Sequence, residues 1–190
     1  GRGDYRAPAL RIENEFGQST NELTYKTHMI TKGKPKFSEM PQLDASEEDC
    51  DTLEIVMEDT VGGFEVSLFY SVFAKENVIA RRSAIRNQSD KTLKILNAAS
   101  ICLDIEAKEL EMVSLEGAWG RERHIQRYPL PHGTTSVESR RGTSSHQLNP
   151  FAALVAKNTN EDYGEVYATT LIYSADFKIS VEKDHYGNTR

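Results

Sequence analysis

Tryptophan and cysteine are scarce in this 190-residue sequence, which holds one Trp and two Cys. Two cysteines exclude a disulfide framework. Cys50 sits in an acidic stretch and Cys102 in an apolar alternating one, so they are not expected to pair, and a reducing, cytoplasmic compartment is the expectation. No apolar run approaches the roughly 20 residues of a membrane-spanning helix, and no membrane partner is expected. Metal and nucleotide patterns are missing too. There is no HExxH and no CxxC. The acidic run Asp44, Glu47, Glu48, Asp49, Asp51 lacks the glycine and closing glutamate of a calcium loop. Gly33-Lys34 has no upstream glycine at phosphate-loop spacing, and Gly142-Thr143-Ser144-Ser145-His146 starts like a nucleophile elbow without its closing glycine. No metal and no cofactor are expected. Nor does one charge sign dominate: the net charge of −6 divides evenly, −3 on either side of Ile95, leaving no broad basic face for nucleic acid.

What the sequence has is alternation, the period of a strand with one buried face. Phe64, Val66, Leu68, Tyr70 and Val72 alternate with Glu65, Ser67 and Ser71; Leu53, Ile55 and Met57 alternate with Glu54 and Glu58. Between these runs Asp59-Thr60-Val61-Gly62-Gly63 has the glycines of a tight hairpin. The period returns from Leu93 to Ile105, from Val166 to Ile172 and from Phe177 to Val181. Ile105 to Leu115 reads as two strands joined by a turn at Glu106 to Glu109. Roughly ten short strands at spacings of about 8–12 residues imply an all-β sandwich or barrel, here a single domain over residues 1–190. The segment from Gly117 to Pro150 differs. Its five arginines face two acids, and with three histidines and several Pro and Gly it reads as a long irregular surface segment that binds or packs against something. Trp119, Arg121, Arg123 and Arg127 are its candidate interface residues, since Trp and Arg anchor interfaces. The alternative is that the arginines satisfy acids of their own sandwich.

Four stretches carry a resemblance: Gly3 to Leu10, Trp119-Gly120-Arg121-Glu122-Arg123, Ser139 to Phe151, and Gly164 to Ala168. Together they resemble the N-terminal domain of bacterial α-galactosidases of glycoside hydrolase family 36. The resemblance implies a β-supersandwich of the galactose mutarotase-like kind, two packed and mostly antiparallel sheets, ahead of a catalytic (β/α)₈ barrel. It implies retaining hydrolysis of terminal α-galactosides such as melibiose and raffinose. The partners it implies are the enzyme's own barrel and neighbouring subunits of a homo-oligomer, a tetramer, with a loop reaching a neighbour's active site. Asp4, Tyr5 and Arg6 are the candidate substrate-binding residues of that loop. The family's nucleophile lies in a Lys-Trp-Asp motif, whereas the one tryptophan here stands between Ala118 and Gly120. No catalytic residue is therefore assigned to this chain, which is expected to be an inactive fragment of a longer enzyme. A stand-alone carbohydrate-binding module and a mutarotase-like domain are the alternatives. The first needs aromatics exposed on a sheet face; the second needs a His and a carboxylate converging in a cleft.

Overall fold

The computed structural model describes residues 7–37, 41–106, 109–143, 146–172 and 174–190. Among the described residues there are twelve strands and no helix. They are β1 (Leu10–Glu13), β2 (Thr24–Lys32), β3 (Asp51–Asp59), β4 (Phe64–Phe73), β5 (Val78–Asn87), β6 (Lys94–Ala98), β7 (Leu110–Ala118), β8 (Arg121–Pro129), β9 (Gly133–Ser139), β10 (Leu148–Ala156), β11 (Val166–Thr170) and β12 (Phe177–Lys183). Every ladder between them is antiparallel. The all-β expectation holds. The described chain falls into two compact units, residues 7–102 and residues 103–190.

The first unit is built on the four-stranded sheet β2-β3-β4-β5, with β1 and β6 pairing as a separate ribbon. Alternation on β4 puts Phe64 and Val66 on one face, where they are buried with Ile12 of β1; Leu68, Ile85 and Leu93 pack around them. The opposite face carries a buried hydroxyl pair. Thr52 donates to the Gly33 carbonyl at 2.6 Å and shares a hydrogen bond of 2.7 Å with Ser71, so neither polar group is left unpaired. The β3–β4 hairpin forms where expected, and Gly63 takes the left-handed φ of +70° that its turn requires. Buried Asp59 holds that turn, its carboxylate accepting the backbone N–H groups of Val61 (3.1 Å), Gly62 (2.6 Å) and Glu22 (2.9 Å).

The second unit has the sheet β11-β10-β7-β8 and the ribbon β9–β12. Leu110 and Met112 of β7, with Ala152 and Leu154 of β10, bury against Val137, Phe177 and Val181 from the ribbon. Met112 is wholly buried.

Three expectations are corrected. The supposedly irregular stretch from Gly117 to Pro150 is mostly strand: all of β8 and β9, with the ends of β7 and β10. Strand β8 carries no apolar period to mark it, because it is an edge strand exposed on both faces. Conversely, the period running from Leu93 to Ile105 overstates the strand. β6 stops at Ala98, Ile101, Cys102 and Leu103 are exposed, and Ile105 makes only an isolated bridge to Thr189. The expected pair of strands around Glu106 to Glu109 is thus one strand, β7, beginning at Leu110; Ala107 and Lys108 lie outside the described residues.

Candidate functional site

The β7–β8 hairpin owes its shape to one missing side chain. Ala118 pairs with Arg121 and Glu116 with His124, so two residues of β7 span the distance that three cover on β8. The surplus residue makes a β-bulge, and Arg123 sits in it at φ +60°. The bulged strand can approach so closely because position 117 is glycine: a Cβ there would lie 2.1 Å from the Arg121 carbonyl oxygen. The Gly117 N–H donates to the Gln147 carbonyl at 3.0 Å, tying the hairpin to the segment entering β10. At the tip the Glu122 carboxylate accepts the Gly120 N–H at 2.9 Å. Backbone hydrogen bonds from Gly120 and from Glu122 itself hold that carboxyl below the ordinary range, and His146 adds a smaller attraction in the same direction.

The bulge decides which side chains meet. In a regular strand, positions 121 and 124 point to opposite faces. With one residue inserted, Arg121 joins His124 and Gln126 along one open cleft of about 590 Å³. Its other walls are Glu116, Gly117, Ala118, Gln147 and Leu148. This is the core face of the sheet as it runs out of apolar residues: beyond Met112, at two-residue steps, come buried Ser114 and then Glu116. Ser114 donates to Glu116 at 2.7 Å, which steadies the carboxylate. Opposite them on β8 the same face reads Tyr128, Gln126, His124. Sequence reasoning does not single out Glu116, His124, Gln126 and Gln147 as cleft residues. The signal is the alternation Met112, Ser114, Glu116, whose polar end looks like an ordinary surface.

The four candidate interface residues do not share one environment. Trp119 at the hairpin tip is 87% exposed, and Arg121 and Arg123 are exposed beside it. Arg127 is committed within its own unit. It pairs with Glu111 at 2.5 Å and donates to the carbonyls of Ala156, Lys157 and Thr159 at 3.1, 2.9 and 2.6 Å. That is the alternative role, an arginine satisfying groups of its own sandwich. Asp4, Tyr5 and Arg6 lie outside the described residues. Among the described residues no group of three or more His, Cys, Asp or Glu side chains could hold a metal ion.

The cleft brings together Arg121 and Gln147, from two of the four stretches that carry the family resemblance. All 190 residues match the glycosyl hydrolase family 36 N-terminal domain. The chain belongs to that family. It is 45% identical over 191 residues to alpha-galactosidase AgaA of Geobacillus stearothermophilus, covering all of this chain and 26% of the relative. It is 40% identical over 190 residues to the bifunctional alpha-galactosidase/sucrose kinase AgaSK of Mediterraneibacter gnavus, again over its whole length and 20% of that protein. The crystal structure of AgaA superposes with a TM-score of 0.95 over the entire chain and 26% of its own. This family 36 chain thus spans about a quarter of the length of such relatives.

Proposed function

We propose that this chain is the non-catalytic N-terminal β-domain of a retaining α-galactosidase, and that its exposed β7–β8 hairpin seats a catalytic barrel or a neighbouring subunit of a homo-oligomer, a tetramer in the full-length enzyme. The observation that supports this reading is the 45% identity to AgaA over the whole of this chain and only 26% of the relative. The family's Lys-Trp-Asp nucleophile motif is not in these 190 residues. Asp4, Tyr5 and Arg6 are proposed to touch the galactoside, since a carboxylate accepts two hydroxyl hydrogen bonds and a guanidinium supplies several donors. The two free thiols, buried Cys50 and exposed Cys102, fit a reducing, cytoplasmic setting. A carbohydrate-binding module on the β4 face is disfavoured. The Arg81 guanidinium lies 4.1 Å from the centre of the Tyr70 ring and covers the face a sugar would use.

Hydrolysis of nitrophenyl α-galactoside tests the reading. The full-length protein is expected to cleave it, the 190-residue chain is not, and Asp4→Ala in the full-length protein is expected to raise KM. Turnover by the chain alone overturns the assignment.

A further inference from the structure

We propose that Lys34 and Arg82 form a binding site for a small dianionic oxyanion, the phosphate of inorganic phosphate or of a phosphate monoester. The site lies in the first unit and shares no residue with the cleft of the second.

The end of β2 and the loop after it read Lys32-Gly33-Lys34-Pro35-Lys36-Phe37, three lysines at two-residue steps. The outer two meet acids of their own unit: Lys32 pairs with Asp51 at 2.8 Å and Lys36 with Asp44 at 3.5 Å. Lys34 meets a neutral amide instead, donating to Gln42 Oε1 at 2.7 Å. Burial lowers the Lys34 ammonium from the ordinary lysine value, and the Arg82 guanidinium lowers it further, against smaller pulls from Cys50 and Asp44. Arg82 is itself lowered by burial. Among the described residues no carboxylate pairs with either cation. Glu54 shares a row of the sheet with Arg82, but Phe69 stands between them, and the two backbones are two strands, about 10 Å, apart. Two partly desolvated cations side by side carry a cost that a bound anion offsets.

Both cations are held before any ligand arrives. The Arg82 guanidinium stacks 3.2 Å from the centre of the Phe37 ring, and that ring packs in a T-shape against Phe69 at 5.4 Å. Gln42 fastens the loop, its amide donating to the Phe37 carbonyl at 2.6 Å while its oxygen holds Lys34. The guanidinium N–H groups remain open. No buried side-chain nitrogen or oxygen among the described residues lacks a partner, so donors that no protein group takes up face solvent.

The ligand class follows from these donors. A guanidinium presents paired N–H groups in a fixed fork and an ammonium adds three more, which together complement an oxyanion with two charges. An aromatic ligand finds no free ring, because Phe37 is already shared between Arg82 and Phe69. A polyanion finds no track, because Lys32 and Lys36 are already paired and the chain carries a net charge of −6.

Phosphorus NMR of the full-length protein with inorganic phosphate and, separately, glycerol phosphate tests the site, at constant ionic strength in sodium chloride. Saturable broadening with a Kd on the order of millimolar is expected, since half-buried charges are partly screened. Lys34→Met and Arg82→Gln each remove a charged donor and are expected to weaken binding at least about tenfold. Lys34→Arg keeps the charge and is expected to stay within about threefold of the parent, and Lys36→Met within about twofold. Melting by circular dichroism in chloride accompanies every variant. If Arg82→Gln does not fold, Lys34→Met carries the test, because it keeps the apolar stem of the side chain. Tighter binding of the ester supports a monoester as the ligand, and the reverse order supports the free ion. Absence of saturable broadening, equal binding by Lys34→Met, or a loss in Lys36→Met as large as in Lys34→Met overturns the proposal.

Discussion

Two hairpins in this molecule face the same task and solve it in opposite ways. At the β3–β4 tip a buried carboxylate, Asp59, takes three backbone N–H groups, and the next strand begins with buried Phe64. At the β7–β8 tip the carboxylate of Glu122 is exposed, and the turn presents Trp119 to solvent. The first tip turns its polar groups and its aromatic inward, so its residues serve the stability of their own unit. The second devotes a bulge, a glycine and a left-handed arginine to a tip whose Trp119, Arg121 and Arg123 are exposed among the described residues. Backbone irregularity that improves no internal packing points to a role outside the unit.

The comparison breaks most visibly at position 117. Gly117→Ala puts a Cβ against the Arg121 carbonyl, a backbone atom that cannot swing aside, and the cost is expected to be about 3 kcal/mol, the upper end of ordinary overpacking. Thermal unfolding checks it, with a fall in Tm of about 6–12 °C for a chain of this size. The variant is also expected to lose the alignment of Arg121 with His124 that the bulge provides. Next in size is the first hairpin. Asp59→Ala removes a buried carboxylate that accepts three backbone N–H groups and is expected to cost about 2–3 kcal/mol. Asp59→Asn, which keeps one acceptor oxygen, recovers part of that loss in the same melt. A neutral Asp59→Ala would mean that the two tips do not differ in the way argued.

The same contrast explains which parts are legible in the sequence. Strands β4 and β12 announce themselves because alternating residues at their starts, Phe64 and Val66, and Phe177 and Val181, are buried, and burial on one face is what writes a period of two into the residues. The β3–β4 turn is legible through Asp59 and its glycines. Strand β8 is not. With Arg121, Glu122, Arg123 and His124 exposed, nothing selects an apolar residue at every second position, and the stretch reads as loop. The opposite error arises between Ala99 and Ile105, where apolar residues alternate without a neighbouring strand to pair with along most of their length. The cleft is hidden for a further reason. Its residues come from β7, β8 and the start of β10, and the bulge shifts Arg121 onto a face that counting by twos from His124 denies it. Arg127 and Arg121 look alike in the sequence, yet one is bonded to Glu111 and three carbonyls and the other lines an open cleft.

The smallest expected effect on stability is at Trp119, and it sharpens the comparison most. An aromatic side chain in a protein core costs about 3–5 kcal/mol to truncate, but one that is 87% exposed has almost no packing to lose. Trp119→Ala is therefore expected to leave the unfolding free energy within about 0.5 kcal/mol of the parent, the range of an ordinary surface change. If the tip is an anchor for another part of the enzyme, the cost emerges elsewhere. Truncated interface tryptophans commonly weaken association by about 2 kcal/mol or more. In the full-length protein, sedimentation velocity is then expected to show smaller species at a given concentration, or limited proteolysis to show earlier cleavage between this domain and the catalytic barrel. An unchanged Tm together with unchanged assembly and unchanged proteolysis would leave the exposed tryptophan without a partner and overturn the reading of the tip as an anchor.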